Sequence, residues 1–383
     1  MYNINVKEVL RNIEIKDTNS KRKKLIIEDL GDCLKIYYKN KIGHPVKPIL
    51  LNNKLVIDKS FAEFVGFIEA EGDHDLEKKS SFCIANTNKE IINSCIYTIS
   101  KIFKRPRVTY RLILPKKLQN NKNIILKDWI KAIKKKKIRM LFDTRRSIPA
   151  MNIMLSGILY PRLIKIFKDL VFKHHINKNK ELFNHYIKAK FLGDGHFYLS
   201  KSKYPVFTIS YAKNEKEIAM RDRFLINKFY NIDLSQQKSS SENCFLLRTY
   251  NILDIYKISA HLNIKKIPHK NILNIIRKNF NLLYANIDNK TVRYGLFKSI
   301  QQFSNKYKIN YWTVSAWKYG DNKIPLYILI KIFKRDKLRI YKIIKNINII
   351  QMERKGILEI NDSFDKYLFH KILNFGGLNY ARR

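Results

Sequence analysis

Apolar residues along this chain follow two periods, and the alternation between them sets out its elements. At Ile92, Cys95, Ile96 and Ile99 they recur three and four apart, which predicts a helix across KEIINSCIYTISKIF. The flanking stretches SSFCIAN and RVTYRLIL read as short strands. Residues 61–72, FAEFVGFIEAEG, read as one helix that stops at Gly72. YPRLIKIFKDLVF is a further helix, with Pro161 near its start.

From residue 183 the same order recurs. A helix ends at Gly195, HFYLSKS and VFTISYA form a hairpin, and EKEIAMRDRFLINKFY is an amphipathic helix. CFLLRTY is a strand and NILNIIRKNF another helix. TNKEIINSC answers to NEKEIAMRD. Gly195 follows Gly72 by 123 residues and Glu217 follows Glu90 by 127, so the second copy carries four extra residues in its hairpin. A duplicated helix–hairpin–helix unit accounts for the pattern.

The flanks divide the rest. Residues 1–60 are an extension of unclear fold, in which EVLRNI starts a helix, KRKK is a charge run and GHPVKPILL is an extended connector held off helix by Pro45 and Pro48. The first repeat occupies 61–180 and the second 181–287. Residues 288–350 read as a small all-α module of three short helices, and 351–383 as a tail.

Charge changes the picture. The 383 residues hold 76 Lys and Arg against 32 Asp and Glu, a formal charge of +44. Such a field calls for a polyanion, and basic residues spread through the whole chain favour nucleic acid over a membrane surface. Four cysteines without CxxC spacing indicate neither a zinc site nor a disulfide framework. The N-terminus lacks the apolar core of a signal peptide, and no apolar run is long enough to span a bilayer. The expectation is a soluble, cytoplasmic protein, nucleoid-associated when bound to DNA.

Against that charge stands an acidic island. Between Phe61 and Glu77 lie Glu63, Glu69, Glu71, Asp73, Asp75 and Glu77, with no Lys or Arg. It overlaps FVGFIEAEG at 64–72, whose layout is repeated by IKAKFLGDG at 187–195. The third position is small in both (Gly66, Ala189), as is the seventh (Ala70, Gly193). Residues four apart share a helical face, and a face of small side chains lets a second backbone approach closely. The eighth position is acidic in both (Glu71, Asp194), and the ninth is Gly72 or Gly195, the residue type of a left-handed helix cap. If the helices pair, two carboxylates meet where the helix dipoles are already negative. A divalent cation reverses that repulsion, and Mg²⁺ takes carboxylate, carbonyl and phosphate oxygens.

The two stretches resemble the signature helices of the LAGLIDADG homing endonucleases in their single-chain, two-motif form, over roughly 61–285. The resemblance implies an α+β fold: a duplicated αββαββα pseudo-dimer, its motif helices paired and its sheets forming a saddle over DNA. It implies a monomer with internal pseudo-twofold symmetry that cuts double-stranded DNA at a long asymmetric site, using Mg²⁺ or another divalent cation such as Mn²⁺. It makes Glu71 and Asp194 the metal ligands, with the carbonyls of Ala70 and Gly193. The segment KKIPHKNIL resembles the one that supplies a basic catalytic residue, here Lys266 or Lys270; the first copy offers no counterpart. The sixth position, usually acidic, is Glu69 in one copy and Leu192 in the other. DHDLEKKS after Gly72 is a poor strand by propensity, so the first half of the saddle is expected to be irregular. The same scaffold also serves non-cutting nucleic-acid binders, an intron maturase or a DNA-binding regulator, and the acids kept at both eighth positions favour cutting.

FSNKYKINYWTVSAWKYG resembles a helix-turn-helix, with Lys308 at the usual turn glycine. Val314 and Trp317 anchor the second helix. Asn310, Tyr311, Thr313, Ser315 and Lys318 are its candidates for contact with bases or phosphates.

Overall fold

The computed structural model describes residues 2–17, 21–72, 76–135, 137–199, 205–238, 244–262, 283–287, 289–325, 328–329, 332, 348–353 and 356–360. Two compact units emerge. One comprises Met1–Gly195, Ile209–Asn231 and Lys238–Leu246; the other comprises His196–Thr208, Ile232–Gln237 and Leu247–Arg383.

In the first unit the N-terminal extension is a folded, mostly β segment. β1 (Tyr2–Asn5) leads into α1 (Val6–Leu10), which Asn5 caps. β2 (Glu14–Lys16) and β3 (Arg22–Lys24) pair, and β4 (Ile26–Asp29), β5 (Cys33–Tyr37) and β6 (Ile49–Asn52) make an antiparallel sheet. β7 (Lys54–Ile57) returns antiparallel to β1. Leu34, Ile36, Ile49 and Leu51 are buried, so the sheet has an apolar face of its own.

The first repeat runs α2 (Lys59–Glu71), β8 (Ser81–Asn86), α3 (Lys89–Ile102), β9 (Val108–Pro115), α4 (Lys122–Ile133), β10 (Ile138–Asp143), β11 (Ala150–Ser156) and α5 (Leu159–Val171). Its sheet has the order β10-β9-β11-β8. β9 and β10 are parallel, a pairing that needs a crossover, and α4 supplies it. Between α2 and β8 the described residues form one bridge, Gly72 to Ile84, in keeping with the poor strand propensity of that stretch. Arg162 of α5 is buried and donates to the carbonyls of Lys16 and Lys79 (both 3.0 Å) and of Leu76, which fixes the chain leaving α2.

α6 (Lys180–Asp194) packs on α2, and its contacts show a parallel pair. Lys59 meets Glu181 at 2.7 Å, Glu63 meets His185 at 2.8 Å, Gly66 lies against Tyr186 and Ala189, and Ala70 against Gly193. A Cβ on Gly66 would overlap the Tyr186 carbonyl oxygen, and one on Gly193 would sit 2.5 Å from the Ala70 methyl. The small face therefore permits the approach.

The glycines that end both helices differ from the expected left-handed cap. Gly72 (φ −90°, ψ 176°) and Gly195 (φ −93°, ψ 147°) are extended. Space is the reason for glycine: a Cβ would lie 2.5 Å from the Ile68 carbonyl oxygen at Gly72, and would run into the Phe191 ring and carbonyl at Gly195.

β12 (Gly195–Leu199), β13 (Pro205–Ala212), β14 (Ser235–Lys238) and β15 (Cys244–Thr249) form a sheet in the order β12-β13-β15-β14, with α7 (Lys216–Tyr230) between β13 and β14. α8 (Ile252–Leu262) follows. The helix expected at NILNIIRKNF lies outside the described residues.

The second unit also carries α9 (Lys290–Leu296), α10 (Ile300–Tyr307) and α11 (Tyr311–Tyr319), three short helices joined by tight turns. The expectation of an all-α module needs correction. β16 (Leu283–Asn286), β17 (Ile324–Pro325), β18 (Asn348–Glu353) and β19 (Gly356–Ile360) form a sheet in the order β17-β16-β18-β19. The polar residues around these strands hid their short apolar cores.

Gly66→Val should cost about 3 kcal/mol in urea denaturation, the upper part of the overpacking range, because a backbone carbonyl cannot yield. Gly295→Ala, in α9 with open space around it, should instead stabilise by about 0.5–1 kcal/mol.

Candidate metal centre and nucleic-acid interface

Parallel packing brings the last turns of α2 and α6 to the same end of the pair. Glu71 lies there against α6: a Cβ on Gly193 would be 3.1 Å from Glu71 Cγ and 3.4 Å from its Oε1. Asp194 is the next residue of α6, half-buried, at the helix terminus. Helix ends leave backbone carbonyls without intrahelical donors, and here two such ends converge.

Glu71 Oε1 accepts a hydrogen bond from the Asn86 amide at 3.1 Å. Burial raises its pKa above the ordinary carboxylate range, while the charge of Arg146 and the Asn86 bond partly oppose that rise. The other acids of the island that lie among the described residues are committed elsewhere. Glu63 bonds His185, and Glu77 pairs with Lys16 and Lys165, each at 3.2 Å. Asp73 and Asp75 lie outside the described residues.

Glu69 has a different part. It is buried at the centre of a polar cluster that links four helices and a strand. Arg221 of α7 donates to its Oε2 at 2.8 Å, the Tyr186 hydroxyl of α6 does so at 2.5 Å, and Lys168 of α5 lies 3.3 Å from its Oε1. Lys190, fully buried in α6, lies 3.7 Å from Oε2. Asp222 accepts from Tyr211 at 3.0 Å and from Arg221 at 3.0 Å. Burial alone would raise the Glu69 carboxyl, but Arg221, Lys190 and Lys168 overcome it and hold the group far below its usual range. Asp222, buried beside Glu69, is pushed the other way, chiefly by desolvation. The sixth-position acid is thus a structural counter-ion, and Leu192, its partner position, has no such role.

Oxygen donors at the two last turns suit a hard divalent cation, and a half-buried carboxylate destabilised by desolvation gains most from one. Glu71, Asp194 and the carbonyls of Ala70 and Gly193 are the residues that would hold it. Among the described residues no group of three or more His, Cys, Asp or Glu side chains is placed to hold a metal ion, at these helix ends or elsewhere. Lys266 and Lys270 lie outside the described residues.

Sequence reasoning missed the basic residue on the Glu71 side. The loop 144–147 after β10 carries Arg145 and Arg146, and with Lys116 and Lys117 these line an open pocket of about 260 Å³ that also exposes Thr144 and Ser147. Four cations and two hydroxyls are the groups that would suit an anion such as a phosphate. The signal was TRRS immediately before Ile148 and Pro149, in a stretch whose periodicity is too short to read. The sheet also has a polar face. Phe82, Ile84, Leu112, Leu114, Met151, Ile153 and Leu155 are buried on one side, while Thr109, Arg111, Asn152 and Arg139 alternate with them, Arg111 pairing in register with both Asn152 and Arg139.

In the second unit α10 and α11 are joined at Lys308, which adopts the left-handed conformation (φ 54°) that glycine ordinarily fills. Val314 and Trp317 are buried with Phe297 and Phe303. Of the five predicted contact residues, Asn310 is the N-cap of α11, its side-chain oxygen accepting from the Trp312 amide at 2.9 Å. Lys318 donates to the Lys298 carbonyl at 3.0 Å. Thr313 and Ser315 are half-buried and Tyr311 is exposed. Trp312, beside them, is the most exposed large hydrophobic residue of the helix.

No family model matches the chain, and no curated protein does. Solved structures do. The N-terminal LAGLIDADG domain of DUF199/WhiA is 15% identical over 57% of this chain and 86% of its own, with a TM-score of 0.34. The homing endonuclease I-DmoI, solved in complex with DNA and Mn, is 11% identical over 57% of this chain and 94% of its own (TM-score 0.26). The meganuclease I-SmaMI bound to uncleavable DNA is 12% identical over 70% and 97% (TM-score 0.31). With its two motif helices packed through their small faces beside the sheet of the first repeat, the chain has an α+β fold. No helix among the described residues is long and apolar enough to cross a membrane.

Glu71→Gln should raise the melting temperature of the metal-free protein at neutral pH, since it removes a charge that burial disfavours. The sign follows from linkage: a carboxyl whose folded pKa is raised contributes stability below its unfolded pKa of about 4.3 and loses it as pH rises through the folded value. The variant's advantage in thermal melts should therefore grow between about pH 4 and pH 8.

Proposed function

We propose that the protein is a site-specific endonuclease that hydrolyses phosphodiester bonds in double-stranded DNA with Mg²⁺ or Mn²⁺. The observation that carries this reading is the convergence of the last turns of α2 and α6, with Glu71 against Gly193, the residue that precedes Asp194, in a chain of formal charge +44. Repeats at 61–180 and 181–287 would form a pseudo-twofold monomer on a long asymmetric site, and residues 288–350 would add DNA contacts through the α10–α11 turn.

A divalent cation bound by these oxygens would lower the pKa of water and stabilise the leaving oxygen. The protein's own groups supply the rest. Glu71 and Asp194 would supply negative charge at the paired helix ends, Arg146 and the Lys116–Lys117 pocket would retain a phosphate, and Thr109, Arg111, Arg139 and Asn152 would present donors and acceptors to the duplex. Lys266 or Lys270 would serve the other site. Structures of I-DmoI and I-SmaMI with DNA, and of I-DmoI with Mn, are consistent with DNA and a divalent cation as partners.

One observation favours a second reading, a non-cutting DNA-binding regulator or maturase. Arg146 and Asn86 already offset the Glu71 charge, so the carboxylate is not left wholly to a metal.

Glu71→Gln and Asp194→Asn separate the two readings. With DNA from the genomic insertion locus, intron or intein removed, and Mg²⁺, the wild type should convert supercoiled plasmid to linear. Each variant should lose at least about a hundredfold in rate, of the order that loss of a single key catalytic group produces, with specific binding intact. Cutting at full rate by the double variant overturns the assignment. Tight binding without cutting under any divalent metal supports the second reading. Affinity for duplex should fall steeply with salt, because neutralised phosphates release counterions; a flat response excludes a phosphate-tracking surface.

A further inference from the structure

Three tryptophans occur in the chain, and their surroundings differ sharply. Trp129 is 2% exposed and Trp317 3%, both in apolar cores, whereas Trp312 is 76% exposed. It stands in the first turn of α11, edge-on to Tyr311 with ring centroids 5.4 Å apart, and Tyr311 is itself exposed. Ser315 and Tyr319 continue the same stripe, Tyr319 exposed as well, while Val314 and Trp317 turn inward. The helix thus spends its apolar core side on the module and carries a second, aromatic side in water. Tyr319 packs edge-on against Tyr294 with ring centroids 5.9 Å apart, which leaves Tyr311 and Trp312 as the part of that side turned to water, and exposed apolar groups of this kind mark a contact surface.

The surrounding charge identifies the occupant. From Asn289 to Pro325 Asp321 is the only acid, and Lys298, Lys306, Lys308 and Lys323 lie in the same stretch of chain. A protein groove accepting these rings would have to be acidic and apolar together, whereas a nucleic acid supplies both chemistries: phosphates for the lysines and base faces for the rings. Every base has a π-face, so stacking works without a hydrogen-bond match. Side chains placed as wedges against base steps unstack and kink a duplex.

We propose that Tyr311 and Trp312 form an aromatic wedge that stacks on the bases of duplex DNA, with the module's lysines holding the flanking phosphates. This rests on the DNA-binding reading above and adds to it how α11 engages the duplex: by ring stacking at its first turn, not by hydrogen bonds from Asn310, whose oxygen is occupied in the cap.

Trp312 is the one exposed tryptophan, so acrylamide quenching of tryptophan emission in the full chain reports on it. The probe is a mixed-sequence DNA duplex at low salt. Bound duplex should lower quenching to the level of the Trp312→Phe variant, whose two tryptophans are both buried. Trp312→Ala should weaken binding about ten- to a hundredfold, the range that loss of one base-stacking ring gives. Its salt slope should stay at the wild-type value, since the ring neutralises no phosphate, whereas Lys308→Ala should lower the slope by roughly one. Circular dichroism matching the wild type shows that each variant is folded. Wild-type affinity in Trp312→Ala, or full quenching of Trp312 in the DNA-bound protein, overturns the wedge while leaving DNA binding intact. No binding of duplex at any salt removes the DNA reading itself. Shielding of Trp312 without DNA, by self-association in sedimentation or by anionic phosphatidylserine vesicles, assigns the stripe to that surface and overturns the proposal.

Discussion

The close approach of two helices governs this chain. Gly66 and Ala70 on α2 meet Ala189 and Gly193 on α6, where the Tyr186 carbonyl and the Ala70 methyl occupy the space that larger side chains would need. Everything at the candidate site follows from that fit. Parallel alignment puts both acidic last turns at one end, and Glu71 reaches the α6 backbone only because position 193 has no side chain. A methyl at either glycine would push the two last turns apart.

A second constraint keeps the pair in register. Glu69 gathers Arg221, Lys168, Lys190 and the Tyr186 hydroxyl in a buried cluster that spans α2, α5, α6 and α7. Such an arrangement contributes less net stability than its contact distances suggest, because desolvation of several charges offsets the attraction. Its effect is specificity: sliding α6 along α2 would strand a buried charge. Two residues apart on one helix, Glu69 and Glu71 therefore have opposite electrostatics. One is held ionised by three cations, and the other is raised by burial, opposed only by Arg146 and Asn86.

Much of this was legible in the sequence, for a physical reason. Small residues at the third and seventh positions, an acid at the eighth and glycine at the ninth leave a pattern that repeats at a fixed offset, and helix pairing depends directly on it. The glycine caps were misread as left-handed because steric crowding, not positive φ, excludes a side chain at 72 and 195. Arg146 escaped notice because its approach to Glu71 depends on a loop between β10 and β11 that no periodicity reveals. The buried ion cluster of Glu69 leaves no mark in the local sequence, since Arg221 lies 152 residues away along the chain. Trp312 was passed over because a tryptophan at helical spacing is ordinarily core, as Trp317 is.

The central claim is that the two last turns make one divalent-cation site. Electron paramagnetic resonance of free Mn²⁺, with duplex-alone binding subtracted, tests it most directly. The account predicts that the DNA-bound wild type removes Mn²⁺ from solution and that a protein carrying both Glu71→Gln and Asp194→Asn, folded and equally bound to the duplex, does not. Equal uptake by the two proteins would contradict it.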